Sequence, residues 1–491
     1  MHDATRLHRH HDDVTVSIAA PRRRLALVVL CLCALTTAID ITITNVALPA
    51  IGKQLDAPTS ELQWVVDAYN IVLAGLLVLG GGLADRYGRR RVFLIGYALF
   101  GLACLLAAMS TTTETLIAAR ALMGVGAAGV VAPALAIIAG LYAPEERAGA
   151  IGLWAVFGAA GLAIGPVMGG LLLDHFWWGS VFLVNVPLVA LGVVVGLGVI
   201  PESRVAIHGA LDVLGAALSV GGLAVLLFGV IEGPERGWTS PEVIGALVVG
   251  ALVLVAFVRR EVGARFPLFD VRIAVRPAVA AGAVTLFVAY IVFTGMLFVL
   301  PQYLTDVSRE SIVDVGLLLV PFAATFGVLS LRAGAAVARF GARAAITVGL
   351  ATNAVAMVLL ALVVHDDVLW TVLATMVAAA GLSLLIAPAS TVMMNGLPPE
   401  KAGDGSSFSM VSRFVGAAVG VAIVGSVFAA AYAAYLPGAS GPPPTSGVLD
   451  AASRDAFAGA SAAGYLVIGG FAALAAVVSW LVLRGEAGRA D

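Results

Sequence analysis

Fourteen long apolar runs, joined by short polar loops, make up most of this chain. Each run is about 17 to 27 residues long, and about 20 apolar residues in a helix cross the hydrocarbon core of a membrane. A transmembrane β-barrel would instead need alternating segments of about ten residues, which the sequence lacks. The sequence therefore predicts an all-α membrane protein whose fourteen spans begin near Leu25, Leu62, Val92, Thr115, Gly149, Ser180, Leu211, Ser240, Pro277, Val313, Ala344, Val368, Asp404 and Phe457.

The composition excludes a soluble protein of this length. Of the 491 residues, 60% are hydrophobic and only 12% are charged, whereas soluble domains are about 25% charged. The net charge is −2 and no stretch is strongly basic, so we expect no nucleic-acid partner. A metal site in the His-rich N-terminal tail is disfavoured because nothing there fixes the ligand geometry. We expect neither a metal nor a cofactor.

The loops orient the spans. If the N-terminus is cytoplasmic, 21 Lys and Arg residues fall in cytoplasmic segments and four on the other side. By the positive-inside rule, both termini are then cytoplasmic. The first apolar run continues past Asp40 to Pro49 without a small-residue cleavage site, so we interpret it as an uncleaved first span.

A short loop motif occurs twice. The loop after span 2, Gly81 to Gly88, reads GGLADRYG, and the loop after span 10, Gly334 to Gly341, reads GAAVARFG. Both loops follow an even-numbered span, so the repeats are parallel, as in transporters whose halves rock around a central site. Spans 1 to 6 and 9 to 14 then form two six-helix bundles, and spans 7 and 8 form an inserted hairpin.

Four motifs in the right order resemble one family. They are Asp40–Pro49 in span 1, the loop Gly81–Arg90, Arg120–Gly126 in span 4 and Gly161–Gly170 in span 5. The chain is similar to the major facilitator superfamily, and specifically to its fourteen-helix drug:proton antiporters of the EmrB/QacA type. The resemblance covers nearly the whole chain. One departure is Met123, where the family usually has Gln.

The resemblance implies the major facilitator fold and proton-coupled export of hydrophobic small molecules, including cationic ones, across a bacterial inner membrane. The expected partners are the substrate, protons and the lipid bilayer, and the expected state is a monomer. The expected units are a tail at 1–24, a six-helix bundle at 25–205, a hairpin at 206–262, a second bundle at 263–484 and a tail at 485–491.

Asp40, Asp67 and Arg120 are charged residues at membrane depth, where an unpaired charge costs several kcal/mol. Asp40 is about 15 residues into span 1, and Thr37 and Thr44 are close enough on the same face to hydrogen-bond it. Arg120 in span 4 needs an acid, and Asp40 is the obvious candidate. Asp40 and Asp67 of span 2 are expected proton-coupling residues, because two acids in one apolar cavity favour proton uptake. The resemblance implies that Arg120 also takes part in proton coupling. Two alternatives stay open. Asp40 and Arg120 could have purely structural roles, and Asp67 could be an exposed residue at the start of its helix.

Two glycine-rich motifs are expected to act in conformational gating. In the family, the Asp of the loop motif meets the start of the helix equivalent to span 13, whereas simple positive-inside anchoring is the alternative. The span 5 motif has small residues about every four positions and a proline kink, which permit close helix approach. Generic packing is the alternative for that motif. The expected gating residues are Gly81, Asp85, Arg86, Gly88, Arg89, Gly161, Gly165, Pro166, Gly169 and Gly170.

Aromatic and polar residues at mid-span depth are candidates to bind substrate, although each alone is more often a packing residue. Arg413 in span 13 argues against a purely cationic substrate site, and Arg332 fits a side chain that reaches to the interface. The expected substrate-binding residues are Asp67, Trp64, Asn45, Asn70, Trp154, Phe157 and Tyr290, and further aromatic candidates are Phe293, Phe298, Phe322 and Phe326.

Two other functions stay open. An importer, or an exporter of one metabolite, would share the fold, and the Gly165-Pro166 pair favours an exporter because it is uncommon in importers. A membrane enzyme would need a catalytic constellation or a soluble domain, yet no loop exceeds about 25 residues. We therefore do not expect an enzyme.

Overall fold

The structure is a computed structural model that describes residues 19–204, 212–264, 272–364, 367–397, 402–436 and 449–482. The His-rich tail, Lys401 and the expected C-terminal tail lie outside these ranges. The described residues are almost entirely helical. The helices are α1 (Ala20–Leu55), α2 (Thr59–Tyr87), α3 (Arg89–Ala108), α4 (Thr113–Leu141), α5 (Pro144–His175), α6 (Ser180–Leu183), α7 (Asn185–Val199), α8 (Val213–Arg236), α9 (Pro241–Gly263), α10 (Pro277–Asp306), α11 (Ile312–Leu318), α12 (Val320–Val363), α13 (Val368–Ser383), α14 (Ile386–Asn395), α15 (Ala402–Tyr435) and α16 (Ala451–Val482).

Thirteen stretches of the described chain are long and apolar enough to cross a membrane. One of them, Ile312–Val363, has 52 residues and is about 78 Å long as a helix, more than twice a hydrocarbon core. It bends at Gly341, whose φ of +80° is open mainly to glycine. Gly88, the corresponding glycine of the first loop, has a φ of +114°. Counting the long stretch as two spans gives fourteen, in agreement with the sequence.

The two halves pair their helices in the same pattern. In the first half α1 packs on α5 and α3 on α4, and in the second half α10 packs on α15 and α12 on α13. Glycines make these contacts close, since a side-chain carbon at Gly161 would lie 2.6 Å from the Leu35 carbonyl oxygen. In the second half, one at Gly420 would lie 2.7 Å from the Ile291 oxygen. The loop repeat is therefore also a repeat of helix packing.

Helices α8 and α9 form a hairpin that touches both halves. Val220 of α8 fills the space beside Gly75 of α2. On the other side, the Ser426 hydroxyl of α15 donates a hydrogen bond of 2.6 Å to the Val230 carbonyl of α8. The hairpin thus bridges α2 and α15, which belong to different halves.

The seam between the halves is closed at one end. We call the end with Arg23, Arg90 and Arg260 the arginine-rich face, and the end with Lys53 and Arg309 the opposite face. Near the opposite face, helix α2 meets α15 and helix α5 meets α11. In the repeat, α2 corresponds to α11 and α15 corresponds to α5. The two contacts are therefore equivalent, and the closure has the symmetry of the repeat.

Two groups of contacts make this closure. The Gln63 amide of α2 donates to the carbonyls of Val421 and Ala422 in α15, at 3.2 and 3.0 Å. A side-chain carbon at Gly170 of α5 would lie 2.8 Å from the Ile312 carbonyl oxygen. The backbones of the two halves are therefore in direct contact there.

Toward the arginine-rich face the halves lie apart. In α5, nothing lies within 4 Å of the place where a side-chain carbon would be added at Gly152 or Gly158. The same holds for Gly327 and Gly334 in α12. Leu331 of α12 is 80% exposed within the chain. The structure therefore shows a state closed at the opposite face and open toward the arginine-rich face.

We expect Gly170→Leu to shift the protein away from this state, because the added side chain would overlap the α11 backbone. Spin labels at Asp174→Cys and Arg309→Cys, both exposed at the opposite face, report the separation of the halves. Double electron–electron resonance should show a longer mean distance in the Gly170→Leu protein than in the parent.

Gly152→Leu is the matched control on the same helix, since its side chain meets open space. It should leave the distance distribution unchanged. An unchanged distribution for Gly170→Leu would contradict the assignment of this contact to the closed seam.

Candidate functional site

An ion pair lies at the centre of the first half. Arg120 of α4 is 1% exposed and Asp40 of α1 is fully enclosed. The Arg120 Nη1 donates to the Asp40 Oδ2 at 2.6 Å. The pairing expected from the sequence is therefore present. A charge-assisted bond this short between enclosed partners is among the stronger polar contacts available to a protein.

Arg120 also ties α4 to α2. Its Nε donates to the Val65 carbonyl oxygen at 2.9 Å, and its guanidinium lies 4.7 Å from the centre of the Tyr69 ring. The guanidinium thus joins three helices, α1, α2 and α4. The second Asp40 oxygen, Oδ1, is enclosed and accepts no hydrogen bond from any described residue.

The two threonines expected beside Asp40 bond backbone carbonyls and not its carboxylate. Thr44 donates to the backbone carbonyl of Asp40 at 2.7 Å, and Thr37 donates to the carbonyls of Cys33 and Ala34. A hydroxyl in a helix often bonds the carbonyl one turn back, and that local bond wins here. The Asp40 carboxylate therefore depends on Arg120.

Asp67 lies at the seam between the halves. It is fully enclosed, and neither of its oxygens has a hydrogen-bond partner among the described residues. Gln63, one turn before it on α2, donates to a carbonyl of α15, and Ile71, one turn after it, packs in an apolar cluster with residues of α8 and α15. The exposed helix-entry position is therefore excluded, and the expected coupling of Asp67 with Asp40 stays a prediction.

Four of the expected aromatic residues line one cleft. It lies between α5 of the first half and helices of the second half, where Ala159 and Leu162 face the rings. Its free volume is about 20 Å³, room for about one water molecule. The cleft must therefore widen to hold a drug-sized molecule. Its rings belong to Tyr290, Phe293, Phe322 and Phe326.

The other expected substrate-binding residues lie elsewhere. Trp64 faces the hairpin, with its ring 6.5 Å from that of Phe228, and its expected role in substrate binding stays a prediction. The Asn45 and Asn70 amides donate to carbonyls one turn back on their own helices. The remaining two, Trp154 and Phe157, are half-buried on α5 outside the residues that line the cleft.

The loop after α2 makes its described contacts within the first half. Asp85 accepts a 2.7 Å bond from the Nε of Arg89, whose Nη1 bonds the Ala136 carbonyl of α4. Arg90 bonds the carboxylate of Glu202 through its backbone amide. The expected contact of Asp85 with the start of α15 stays a prediction, since the Asp404 side chain lies outside the described residues.

The span 5 glycines pack in two directions. Gly161, Gly165 and Gly169 lie against α1 of their own half, and Gly165 is so close to Thr42 that no side-chain carbon fits. Pro166 and Gly170 instead lie against α11 of the other half. Within one motif, the first group holds the bundle together and the second group forms the seam.

Two features were missed from the sequence. Gln63 carries the polar contact across the seam, but a lone glutamine near a helix start gives no signal of its partner. A vestibule of about 600 Å³ opens at the opposite face, lined in part by Lys53, Asp306 and Arg309. No group of three His, Cys, Asp or Glu side chains that could hold a metal occurs among the described residues.

We expect Arg120→Met to destabilise the purified protein by about 3 to 5 kcal/mol, because it leaves Asp40 enclosed without a counter-charge. Adding Asp40→Asn to Arg120→Met should recover part of that loss, since no uncompensated charge remains. Thermal unfolding of the detergent-solubilised variants measures both effects. A double variant no more stable than Arg120→Met would show that the pair contributes no charge compensation.

Comparison with known proteins identifies relatives along most of the chain. Multidrug resistance protein Stp of Mycobacterium tuberculosis is 34% identical over 400 residues, 81% of this chain and 74% of the relative. Methyl viologen resistance protein SmvA of Salmonella typhimurium is 34% identical over 84% of each chain. Methylenomycin A resistance protein of Bacillus subtilis is 30% identical over 94% of this chain and 95% of the relative.

Solved structures share the fold. The POT family transporter PepTSo superposes with a TM-score of 0.70 at 15% identity, over 96% of this chain and 99% of its own. An inward-facing bacterial homolog of the human lysosomal transporter Spinster gives 0.68 at 18% identity, over 95% and 98%. Residues 30–421 match the Major Facilitator Superfamily. With its helix pairing, its repeated loop and these relatives, the chain belongs to the major facilitator superfamily.

Proposed function

We propose that this protein is a proton-coupled efflux transporter that exports hydrophobic small molecules, among them drugs and antibiotics. The observation that carries the proposal is the pair of enclosed carboxyl groups in the membrane, Asp40 and Asp67, in a chain whose relatives bear the names of drug resistance proteins. An acid at this depth is a default candidate for a proton path.

The proposal includes an orientation. The arginine-rich face is cytoplasmic, because Lys and Arg accumulate on the cytoplasmic side of membrane proteins. Both termini are then cytoplasmic, and the protein lies in the bacterial inner membrane as a monomer surrounded by lipid. The closed seam faces outward, so the state described above is the one that loads substrate from the cell interior.

The proposed moving units are two bundles, residues 25–205 and 263–484, with the hairpin of residues 206–262 between them and tails at 1–24 and 485–491. The helix pairing within each half supports this division. The bundles rock about the seam so that either face is open in turn. Since the hairpin contacts α2 and α15 together, it acts as a flexible brace across the moving halves.

Asp67 couples protonation to the seam. Enclosing a carboxylate without partners costs several kcal/mol, whereas the protonated acid costs far less. The state closed at the opposite face therefore favours a protonated Asp67. Release of the proton favours the state in which this seam opens. A proton that enters from outside and leaves toward the cytoplasm thereby drives the return to the loading state.

The Asp40–Arg120 pair lies within one half, so its protonation does not act on the seam directly, as that of Asp67 does. A proton on Asp40 weakens its bond to Arg120, whose remaining bonds hold α2 and α4 together. This link transmits a charge change on α1 to the helix that carries Asp67. Asp40, Arg120 and Asp67 are thus the proposed proton-coupling residues.

One proton supplies enough energy for resistance. Moving one charge through about 100 mV releases about 2.3 kcal/mol, and one pH unit adds about 1.4 kcal/mol. Together these values hold about a 500-fold gradient of a neutral substrate. The mechanism therefore needs no nucleotide.

Two alternatives are tested together with the proposal. An importer of the same fold would raise cellular accumulation of its substrate, and an exporter dedicated to one metabolite would reject most drugs. An enzyme would convert a compound without moving it.

The deciding experiment uses the full-length protein in proteoliposomes with an imposed pH gradient and a panel of dyes and antibiotics. We expect the proton gradient to drive uphill movement of several panel compounds toward the side equivalent to the cell exterior. Movement in the other direction would favour an importer, and chemical conversion without transport would favour an enzyme.

We expect Asp40→Asn to abolish proton-driven transport and to leave the amount of protein in the membrane near wild type, because asparagine keeps the shape but cannot cycle a proton. Asp174→Asn is the matched control, since Asp174 is an exposed acid on α5 in the same half. Uphill transport at the wild-type rate by Asp40→Asn would contradict a coupling role.

Asp67→Asn should hold the seam closed, because the neutral amide avoids the cost of enclosing a carboxylate. The spin-label pair at the opposite face should then show the short distance at every pH, and transport should fall at least about tenfold. A pH-dependent distance that survives in this variant would remove Asp67 from the coupling group.

A further inference from the structure

Arg413 of α15 is a cation near the middle of the second half that the proposed proton path does not use. It is partly buried, and its Nη2 donates to the Ser390 hydroxyl of α14 at 2.8 Å. Its guanidinium carbon lies 6.0 Å from the centre of the Tyr290 ring. Its Nε is enclosed and has no hydrogen-bond partner among the described residues. The guanidinium thus retains an unused donor, and it lies beside a ring that lines the aromatic cleft.

No acid accompanies this cation. Among the described ion pairs none includes Arg413, whereas Arg120 in the first half has Asp40. The nearest acid along α15 is Asp404, nine residues earlier and about 14 Å away along the helix axis. The described parts of α12, α13 and α14 contain no Asp or Glu. Arginine cannot shed its charge by losing a proton, so its counter-charge must come from elsewhere.

The bond to Ser390 does not balance the charge. The Ser390 hydroxyl lies 2.8 Å from the Ile386 carbonyl, to which it donates, and 3.2 Å from the Ser409 hydroxyl. It is neutral, so it positions the guanidinium without neutralising it. The hydrogen bond to Ser390 therefore uses one of the Arg413 donors but does not compensate the positive charge of the guanidinium.

A row of three aromatic rings begins beside the Arg413 guanidinium. Tyr290 meets Phe293 edge to face at 6.0 Å, and Phe293 stacks on Phe322, also at 6.0 Å. The far wall of the cleft comes from α5 of the other half, so the cleft changes width when the halves rock. The result is an apolar, aromatic-lined space with one positive charge at its edge.

We propose that Arg413 binds an anionic group of the exported substrate, whose aromatic body lies between the rings of Tyr290, Phe293 and Phe322. Aromatic acids are then a preferred substrate class. The proposal rests on the proposed export function, because it assigns that function's substrate site. It makes Arg413 a specificity-determining residue and leaves proton coupling to the first half and the seam.

The test measures binding to the detergent-purified full-length protein at neutral pH. The probes are the fluorescent pairs naphthoic acid, coumarin carboxylic acid and anthracene carboxylic acid, each with its methyl ester. Acid and ester share one aromatic body and differ in charge. Wild-type protein should bind each acid more tightly than its ester.

Three variants separate charge from structure. Arg413→Gln should weaken acid binding about 10- to 100-fold, the usual worth of a hydrogen bond to a charged group, and leave ester binding unchanged. Arg413→Lys should retain part of the acid preference because it keeps the charge. Arg332→Gln removes an exposed arginine of α12 and should change neither affinity. Unchanged ester binding also shows that the Arg413→Gln protein is folded.

The outcomes distinguish this proposal from the function on which it rests. A wild-type protein that binds no acid more tightly than its ester contradicts the proposal, and so does an acid preference that survives in Arg413→Gln. If proteoliposomes show proton-driven export without any preference for acids, only the assignment of Arg413 fails. If the acid preference depends on Arg413 but no gradient drives transport, only the efflux function fails.

Discussion

Direct contact between helix backbones holds this structure together, because lipid tails give apolar helices little reason to associate. Glycine makes that contact possible within each half, as at Gly161 against α1 and Gly420 against α10. Glycine also makes it possible across the seam, at Gly170. Inside a bundle such contacts extend along the helices, whereas at the seam they lie near one face. Rigid bundles and a breakable seam can therefore be built from a single kind of interaction.

The arginines within the membrane spans differ in how their charges are compensated. Arg120 has a carboxylate, an aromatic face and a carbonyl, so the first half neutralises its cation internally. Arg332 is exposed on α12, and its position fits the expected reach toward the interface. Among the described residues, Arg413 has one hydroxyl as its hydrogen-bond partner and the Tyr290 ring 6.0 Å away, but no carboxylate. The two halves repeat one packing scheme but differ in their internal charges, which permits one half to manage protons and the other to select substrate.

The sequence predicted the number of spans, the repeat and the Asp40–Arg120 pair, because hydropathy, a loop motif and the cost of a buried cation are local signals. It did not predict which neighbour each helix face meets. Trp64 and Asp67 are three residues apart on α2, and a helix that is apolar nearly all round gives no signal of which neighbour each of them will meet. The helix that covers Asp67 also depends on which face of the transporter is closed. A single sequence encodes both states, so it cannot specify the contacts of one.

The duplicated loop has one further consequence. The ion pair of the first copy, Asp85 with Arg89, is replaced in the second copy by Ala338 and Ala342 together. Both loops thus bend at a glycine, but only the first loop has the ion pair. The ion pair lies within the first half, so rocking of the halves as rigid bundles leaves it intact. Dissolved salt weakens such a partly exposed pair, so high ionic strength on the arginine-rich side should loosen the bend of the first half and leave the bend of the second half unchanged.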